Sequence, residues 1–317
     1  MKYDFTTIMD RKGHDAIAVD VIPIPGATVK EGFSTIPMWV ADMNFPTLPT
    51  ILEEISERLQ HHHFGYFNPS EAYFESIIRW HKVRYGVDGL SKTHIGYENG
   101  VLGCVASAVQ AFTAPGEAVL MHSPTYIGFT GTLKNNGRKI VLSDLKRDSD
   151  GVWRMDYEDM EKQLINENIH CVIFCSPHNP TGRVWEREEI EKAMALFKKY
   201  DCVVIADEIW ADLVLPGAKH IPAQSVSEDA KNRTIAVYAP TKTFNLASLR
   251  CAYAVAYAPW LRDAMEKAAV MTHFNNPNVL SCEALIGAYQ EGGEWVEQLN
   301  RYIRKNQEYV HDYVTSR

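Results

Sequence analysis

Four apolar runs of strand length break off in the same way: EAVLMHSPTY at 117–126, HCVIFCSPHNPTG at 170–182, CVVIADEIW at 202–210 and RTIAVYAPTK at 233–242. Each is continuously apolar and then turns polar. A strand that is apolar at successive positions must bury both faces, which is the signature of a parallel sheet covered by helices on each side. Helical patterns lie between these runs: the small-residue helix NGVLGCVASAVQAF from 99, the charged segment DMEKQLINEN at 159–168 and EREEIEKAMALFKKY at 186–200. RKIVLSDL at 138–145 and RCAYAVAY at 250–257 add two strand candidates. This alternation, starting at about residue 99, predicts an α/β fold with a largely parallel sheet. The polar tails then fall on the carboxyl edge of that sheet, where such folds bind ligands.

The flanks read differently. Residues 1–48 form an N-terminal arm, with turn signals at PIPGAT and the aromatic stretch IPMWVADMNFP, that packs on something else. PTILEEISERLQHHH at 49–63 and PSEAYFESIIRWHKVRYG at 69–86 carry a helical period with proline at the start. His61, His62 and His63 fall at a helix end, where cationic capping or a polar face outweighs metal binding. EWVEQLNRYIRKNQEYVHDYVTSR at 294–317 is a long amphipathic helix with no element after it. The expected organisation is an N-terminal arm and small-domain segment over 1–48, a large domain over 49–285, and a linker helix with the start of a C-terminal small domain over 286–317.

Composition excludes some classes. At 317 residues the chain can bury a large core, and a net charge of −8 offers no electrostatic footprint for nucleic acid. The six cysteines, at 104, 171, 175, 202, 251 and 282, include no C-x-x-C pair and sit in apolar surroundings, so they read as reduced core residues. The start MKYDFTTIMDRKGHD has no apolar signal core, and no apolar run reaches membrane-spanning length. The cytoplasm is therefore the expected location, with no membrane partner.

The strand ends, taken together, can hold an anionic, aromatic, electrophilic cofactor. Asn99 and Gly100 precede a helix whose first amides can bind phosphate. Tyr126 can present an aromatic face, Asn179 can donate to a phenolic oxygen, and Asp207 can stabilise a protonated ring nitrogen. Lys242 supplies an amine for a Schiff base and for moving an α-proton. That set describes pyridoxal 5'-phosphate. Each residue alone also has a plainer reading: Lys242 as a surface lysine after a turn, Asp207 as a helix cap, Asn179 as a turn former, Tyr126 and Tyr66 as packing aromatics, Arg250 as a solvated strand-edge charge.

The ordered series MWVADM, NGVLG, SPTY, CSPHNPTG, ADEI and TKTFNLASL resembles the fold type I pyridoxal-phosphate enzymes, most closely the MalY/PatB group of cystathionine β-lyases within the class I/II aminotransferase superfamily. The resemblance covers nearly the whole chain. The spacings fit as well, with 28 residues from Asn179 to Asp207 and 35 from Asp207 to Lys242. It implies a mostly parallel seven-stranded sheet between helices, and it implies roles. Lys242 matches the Schiff-base lysine, Asp207 the pyridinium partner, Asn179 the donor to the cofactor's phenolic oxygen, and Tyr126 the stacking ring. Gly100, Val101 and Leu102 match the phosphate loop, and Tyr66 a tyrosine lent across a homodimer interface. Arg250, eight residues after Lys242, has the spacing of a phosphate-binding arginine.

Three departures stand out. Trp210 occupies the place where aminotransferases carry tyrosine and the lyases often histidine; an indole N–H donates but accepts no proton, so packing beside the cofactor is its expected role. Ala239 replaces a serine that helps to hold phosphate, leaving Thr241 and Arg250 to compensate. The sequence stops in or just after the long helix, so the resemblance implies a truncated small domain, and no arginine is assigned by motif to a substrate α-carboxylate. The implied activity is a C–S β-lyase acting on cystathionine or related L-cysteine S-conjugates. An aminotransferase and a catalytically impaired cofactor-binding protein are the alternatives.

Overall fold

The computed structural model describes residues 2–33 and 36–317; Met1, Ser34 and Thr35 of the arm lie outside the described residues. Seven strands build the central sheet: β1 Ile95–Asn99, β2 Ala118–Ser123, β3 Lys139–Asp144, β4 Cys171–Cys175, β5 Val203–Asp207, β6 Thr234–Tyr238 and β7 Cys251–Val255. Their spatial order is β1-β7-β6-β5-β4-β2-β3. Neighbours from β6 through β3 pair in parallel, whereas β7 pairs antiparallel with both β6 and β1. The expected mostly parallel sheet is present, with β7 as its reversed strand. Two elements that build or cover the sheet escaped sequence reasoning: strand β1, before residue 99, because IGYEN alternates weakly, and the helix Pro259–Thr272.

Alternate residues of the continuously apolar strands feed two cores. Leu120, Val172, Phe174, Val204 and Ala236 face one cluster, and Val119, Met121, Ile173, Ile205 and Val237 face the other. Along the chain the main helices are α1 Pro49–Leu59, α2 Glu71–Trp80, α3 Val101–Phe112, α4 Ile127–Asn135, α5 Tyr157–Asn166, α6 Arg187–Lys199, α7 Pro259–Thr272 and α8 Val279–Thr315. Helices α3, α4 and α7 cover the second core through Val105, Val109, Phe129, Leu133, Leu261 and Met265. The others cover the first. Helix α3 directly follows β1, which runs in the direction of the parallel strands, so the N-terminus of α3 lies at the carboxyl edge of the sheet. All six cysteines are buried and unbridged, as expected of core thiols.

The arm is buried at its two ends, at Phe5 and Leu48, whereas Ile8, Ile24, Phe33 and Met38 between them are exposed. Phe5 is buried against Trp295 and Tyr302, with ring centroids 5.3 and 5.9 Å away. Beyond α1, Arg58 donates to the carbonyls of His61 and His63 at 2.9 and 2.7 Å, so an arginine rather than the exposed histidines caps this turn. Helix α8 begins fifteen residues before the expected start at 294, with Asn278 capping Ser281 N, and runs unbroken through the anticipated 285/286 boundary. Its buried residues fall between Ser281 and Asn300, whereas Tyr309, Val310, Tyr313 and Val314 beyond them are exposed. Among the described residues no helix is long and apolar enough to cross a membrane.

Helix α8 approaches α1 closely at one glycine. A Cβ on Gly287 would lie 2.6 Å from Thr50 O and 2.9 Å from Ile51 Cα, both backbone atoms that cannot step aside. Gly287→Ala is therefore expected to destabilise the protein by about 1–3 kcal/mol through overpacking, read as a lowered midpoint in thermal or denaturant unfolding.

Candidate active site

The carboxyl ends of β2, β4, β5 and β6, the N-terminus of α3 and residues 39–41 of the arm enclose a cavity of about 820 Å³. It is lined by Gly100, Val101, Leu102, Tyr126, Asn179, Asp207, Trp210, Thr241, Lys242 and Arg250. Every anticipated site residue but Tyr66 is there. Tyr66 lies outside the cavity with its ring fully exposed in the single chain.

Lys242 rides on the short helical turn Pro240–Thr243, which follows β6 directly and is started by proline. Burial lowers its pKa from the ordinary lysine value, against the opposing pull of the Asp42 and Asp207 carboxylates. Desolvation thus favours the neutral, nucleophilic amine. Its Nζ lies 5.7 Å from the centre of the Trp210 ring, so Trp210 is a wall against the amine, in keeping with a packing role.

Asp207 ends β5 and is only 4% exposed. One oxygen accepts from Ile209 N at 3.0 Å. Burial pushes its pKa up to about 7, with Ile209 N–H and Lys242 holding it down and Glu208 pushing it further up. A carboxylate kept this dry is costly to ionise unless a cation stands against it. Glu208, next in sequence, faces the opposite way: it accepts from His220 Nε2 and Tyr238 OH, both at 2.6 Å, and from Ala223 N at 2.8 Å.

Gly100 caps α3 with φ of +85°, a backbone conformation that penalises any side chain, and offers no capping group. The first-turn amides, with those of Val101 and Leu102 at the cavity wall, are left to an external acceptor. Arg250, left-handed at φ 52°, lines the same cavity. Tyr126, 37% exposed, stands edge-on to Phe129 at 5.4 Å. A Cβ on Gly128 would come within 2.3 Å of the Tyr126 ring, so that glycine is what lets the ring settle there. Asn179 follows β4, and its backbone N–H points to Cys175 Sγ at 3.5 Å.

Sequence reasoning missed the arm's share in this wall. Trp39, Val40 and Ala41 line the cavity, as do Cys175, Ile209, Phe129 and Ala247. The arm is pinned by Asn245, left-handed at φ 58°, whose side chain bonds Met43 N at 3.1 Å and Met43 O at 3.2 Å, and by Thr47 Oγ1 donating to Phe244 O at 2.6 Å. The paired motifs MWVADM and TKTFNL were the available signal, since the asparagine that grips the arm is in the second.

The donor set fits pyridoxal phosphate. Uncapped helix amides and an arginine suit a phosphate, a desolvated carboxylate suits a protonated ring nitrogen, a tyrosine face suits the ring, and a desolvated amine suits an aldehyde. Comparison with known proteins agrees. The family described as aminotransferase class I and II matches residues 36–316. Cystathionine β-lyase PatB of Bacillus subtilis is 37% identical over 272 residues, covering 86% of this chain and 70% of PatB. Protein MalY of Escherichia coli is 30% identical over 316 residues, covering 99% of this chain and 79% of MalY. Cystalysin from Treponema denticola, whose crystal structure contains pyridoxal 5'-phosphate, superposes with a TM-score of 0.92 at 34% identity, covering 99% of this chain and 78% of cystalysin.

Proposed function

The chain belongs to the aminotransferase class I and II family of fold type I enzymes, and from that premise we propose that it is a C–S β-lyase cleaving cystathionine or related L-cysteine S-conjugates. Its cofactor is pyridoxal 5'-phosphate. The cofactor part of this reading is carried by the cavity holding Lys242, Asp207, Asn179, Tyr126 and the uncapped start of α3 together, and the preference for a lyase is supported by the likeness to cystathionine β-lyase PatB. When bound, the cofactor supplies an electrophilic carbonyl and an electron sink for a carbanion at the substrate's Cα.

The protein's own residues do the rest. The α3 amides, Thr241 and Arg250 would hold the phosphate. Asp207, ionised against a positive ring nitrogen, would keep that nitrogen protonated. Asn179 would hold the phenolic oxygen, since Trp210 packs as a wall against the amine. Lys242 would bind the aldehyde carbon through its amine and, as a free amine, would take the proton from the substrate's Cα. The overall reaction breaks the Cβ–S bond, releases the sulfur as a thiol and, with one water, yields pyruvate and ammonia. The same residues also serve transamination, in which the proton is delivered elsewhere and a keto acid departs. The fully exposed Tyr66 ring is in keeping with a homodimer in which it reaches the partner's phosphate site.

Product analysis separates the two reactions. With cystathionine, pyruvate is expected to form at the same rate with and without a keto-acid acceptor. Strict dependence on an acceptor would replace the lyase reading by the aminotransferase one, and an absence of any turnover by a chain that carries the cofactor would leave a binding protein.

A further inference from the structure

The turn that carries Lys242 is gripped from behind by a carboxylate outside the cavity. Asp212 is 3% exposed and lies five residues after Asp207 on the segment that leaves β5. Its Oδ2 accepts from Thr243 Oγ1 at 3.0 Å, and Thr243, wholly buried, directly follows Lys242. Its Oδ1 accepts from Trp80 Nε1 at 3.1 Å and from Tyr85 OH at 2.8 Å, which belong to α2 and the π-helical turn His81–Tyr85 after it. Arg84 Nε stands 3.7 Å from the same oxygen, and Asn300 of α8 donates to the Asp212 carbonyl at 2.8 Å. One buried side chain therefore ties α2 and the π-helical turn after it to the lysine turn, and the backbone carbonyl of the same residue adds α8.

The arrangement has a directional logic. The segment Asp207–Asp212 presents one carboxylate to the cavity and a second to the back of the turn that delivers the amine. The spacing between Asp207 and Lys242 is then fixed by side-chain bonds and not by the backbone of the intervening strand alone. A dry carboxylate is retained in a core only with its donors in place, and here the hydroxyl of Thr243 is one of them. Phe244, buried beside it, stacks on Trp295 at 5.3 Å and meets Trp80 at 5.9 Å, which closes the turn against the same wall.

We propose that Asp212 is a positioning residue for Lys242, acting through the Thr243 hydroxyl to fix where the amine enters the cofactor cavity. This rests on the reading of Lys242 as the reactive amine. A displacement of about 1 Å at a reacting group lowers rates by up to about a hundredfold, so a modest loosening of this turn is measurable.

The test uses the full chain loaded with pyridoxal phosphate, with three readouts: the rate at which borohydride fixes the cofactor on Lys242, the visible circular dichroism of the bound cofactor, and the melting temperature. Thr243→Val, which keeps shape and removes the donor, is expected to slow fixation by about tenfold and to reduce the dichroism, while Thr243→Ser restores both to within about twofold. Asp212→Asn should move both in the same direction, with the double variant no worse than the poorer single one, since the two residues act as one unit. A shift in melting temperature with fixation rate and dichroism unchanged would overturn the proposal. Should the parent chain fix no cofactor, the reading of Lys242 fails separately. The proposal is then decided by hydrogen exchange at the Phe244 and Leu246 amides, which bond within this turn to Pro240 O and Thr241 O. Protection lower by about tenfold in Thr243→Val and regained in Thr243→Ser supports it, and equal protection sinks it.

Discussion

Replacement of Lys242 by alanine is expected to abolish covalent retention of the cofactor and to lower turnover by about 10²–10⁴-fold. Lys242 is the lysine whose amine enters the cavity, on a turn started by Pro240 and closed by Thr243. After borohydride reduction the parent should gain the mass of one reduced pyridoxal phosphate, and Lys242→Ala should gain none. The variant should still take up the cofactor reversibly, because the α3 amides, Arg250, Asn179 and Asp207 remain. An adduct of undiminished yield in Lys242→Ala would place the reactive amine elsewhere. Burial lowers the pKa of this amine, so the rate of adduct formation should approach its plateau below the pH at which an exposed lysine would.

The second large effect is expected at Asp207. Asp207→Asn preserves shape and removes the charge that would keep a ring nitrogen protonated, and turnover should fall by about 10²–10³-fold, the order seen when one preorganised electrostatic partner is lost. The same residue gives a signature independent of activity. Its pKa is raised from 3.8 to about 7 in the fold, so the cofactor-free native state holds this proton to a higher pH than the unfolded chain does. Stability from this group is therefore fully present below the unfolded value and declines as pH rises through the folded one. A shift of this size corresponds to on the order of 4 kcal/mol across that window. Denaturant unfolding of the cofactor-free protein at pH about 4.5 and about 7.5 should show this slope in the parent and a flatter one in Asp207→Asn. An identical slope in both would remove Asp207 as its source. A cation bound against the carboxylate cancels the penalty, so the slope should also shrink on cofactor loading.

Much of this site was legible from local patterns because its chemistry sits at strand ends. Continuous apolar runs specify central strands, and the polar residue after each run is carried to the same edge by the parallel pairing. Lys242, Asp207, Asn179 and Tyr126 are located by that rule. Trp210 is found by counting three residues past Asp207. Strand β1 escaped it, because IGYEN presents an exposed glycine and a buried glutamate where a regular run was sought. The contribution of Trp39–Ala41 escaped for another reason: it depends on the bonds between Asn245 and Met43, two residues 202 positions apart.

Periodicity and residue type over short stretches were enough to specify most of the strands and helices, the polar residue at the end of each central strand and thereby the chemistry available to the cavity. Which groups are dry and which are held was settled by packing between distant stretches. Asp207 is a carboxylate like Asp212 in the sequence, yet one faces a cavity with the Ile209 N–H bonded to it and the other is held by Trp80, Tyr85 and Thr243. Burial and long-range pairing make that distinction, because desolvation depends on what the whole chain packs around a group and not on its neighbours in sequence.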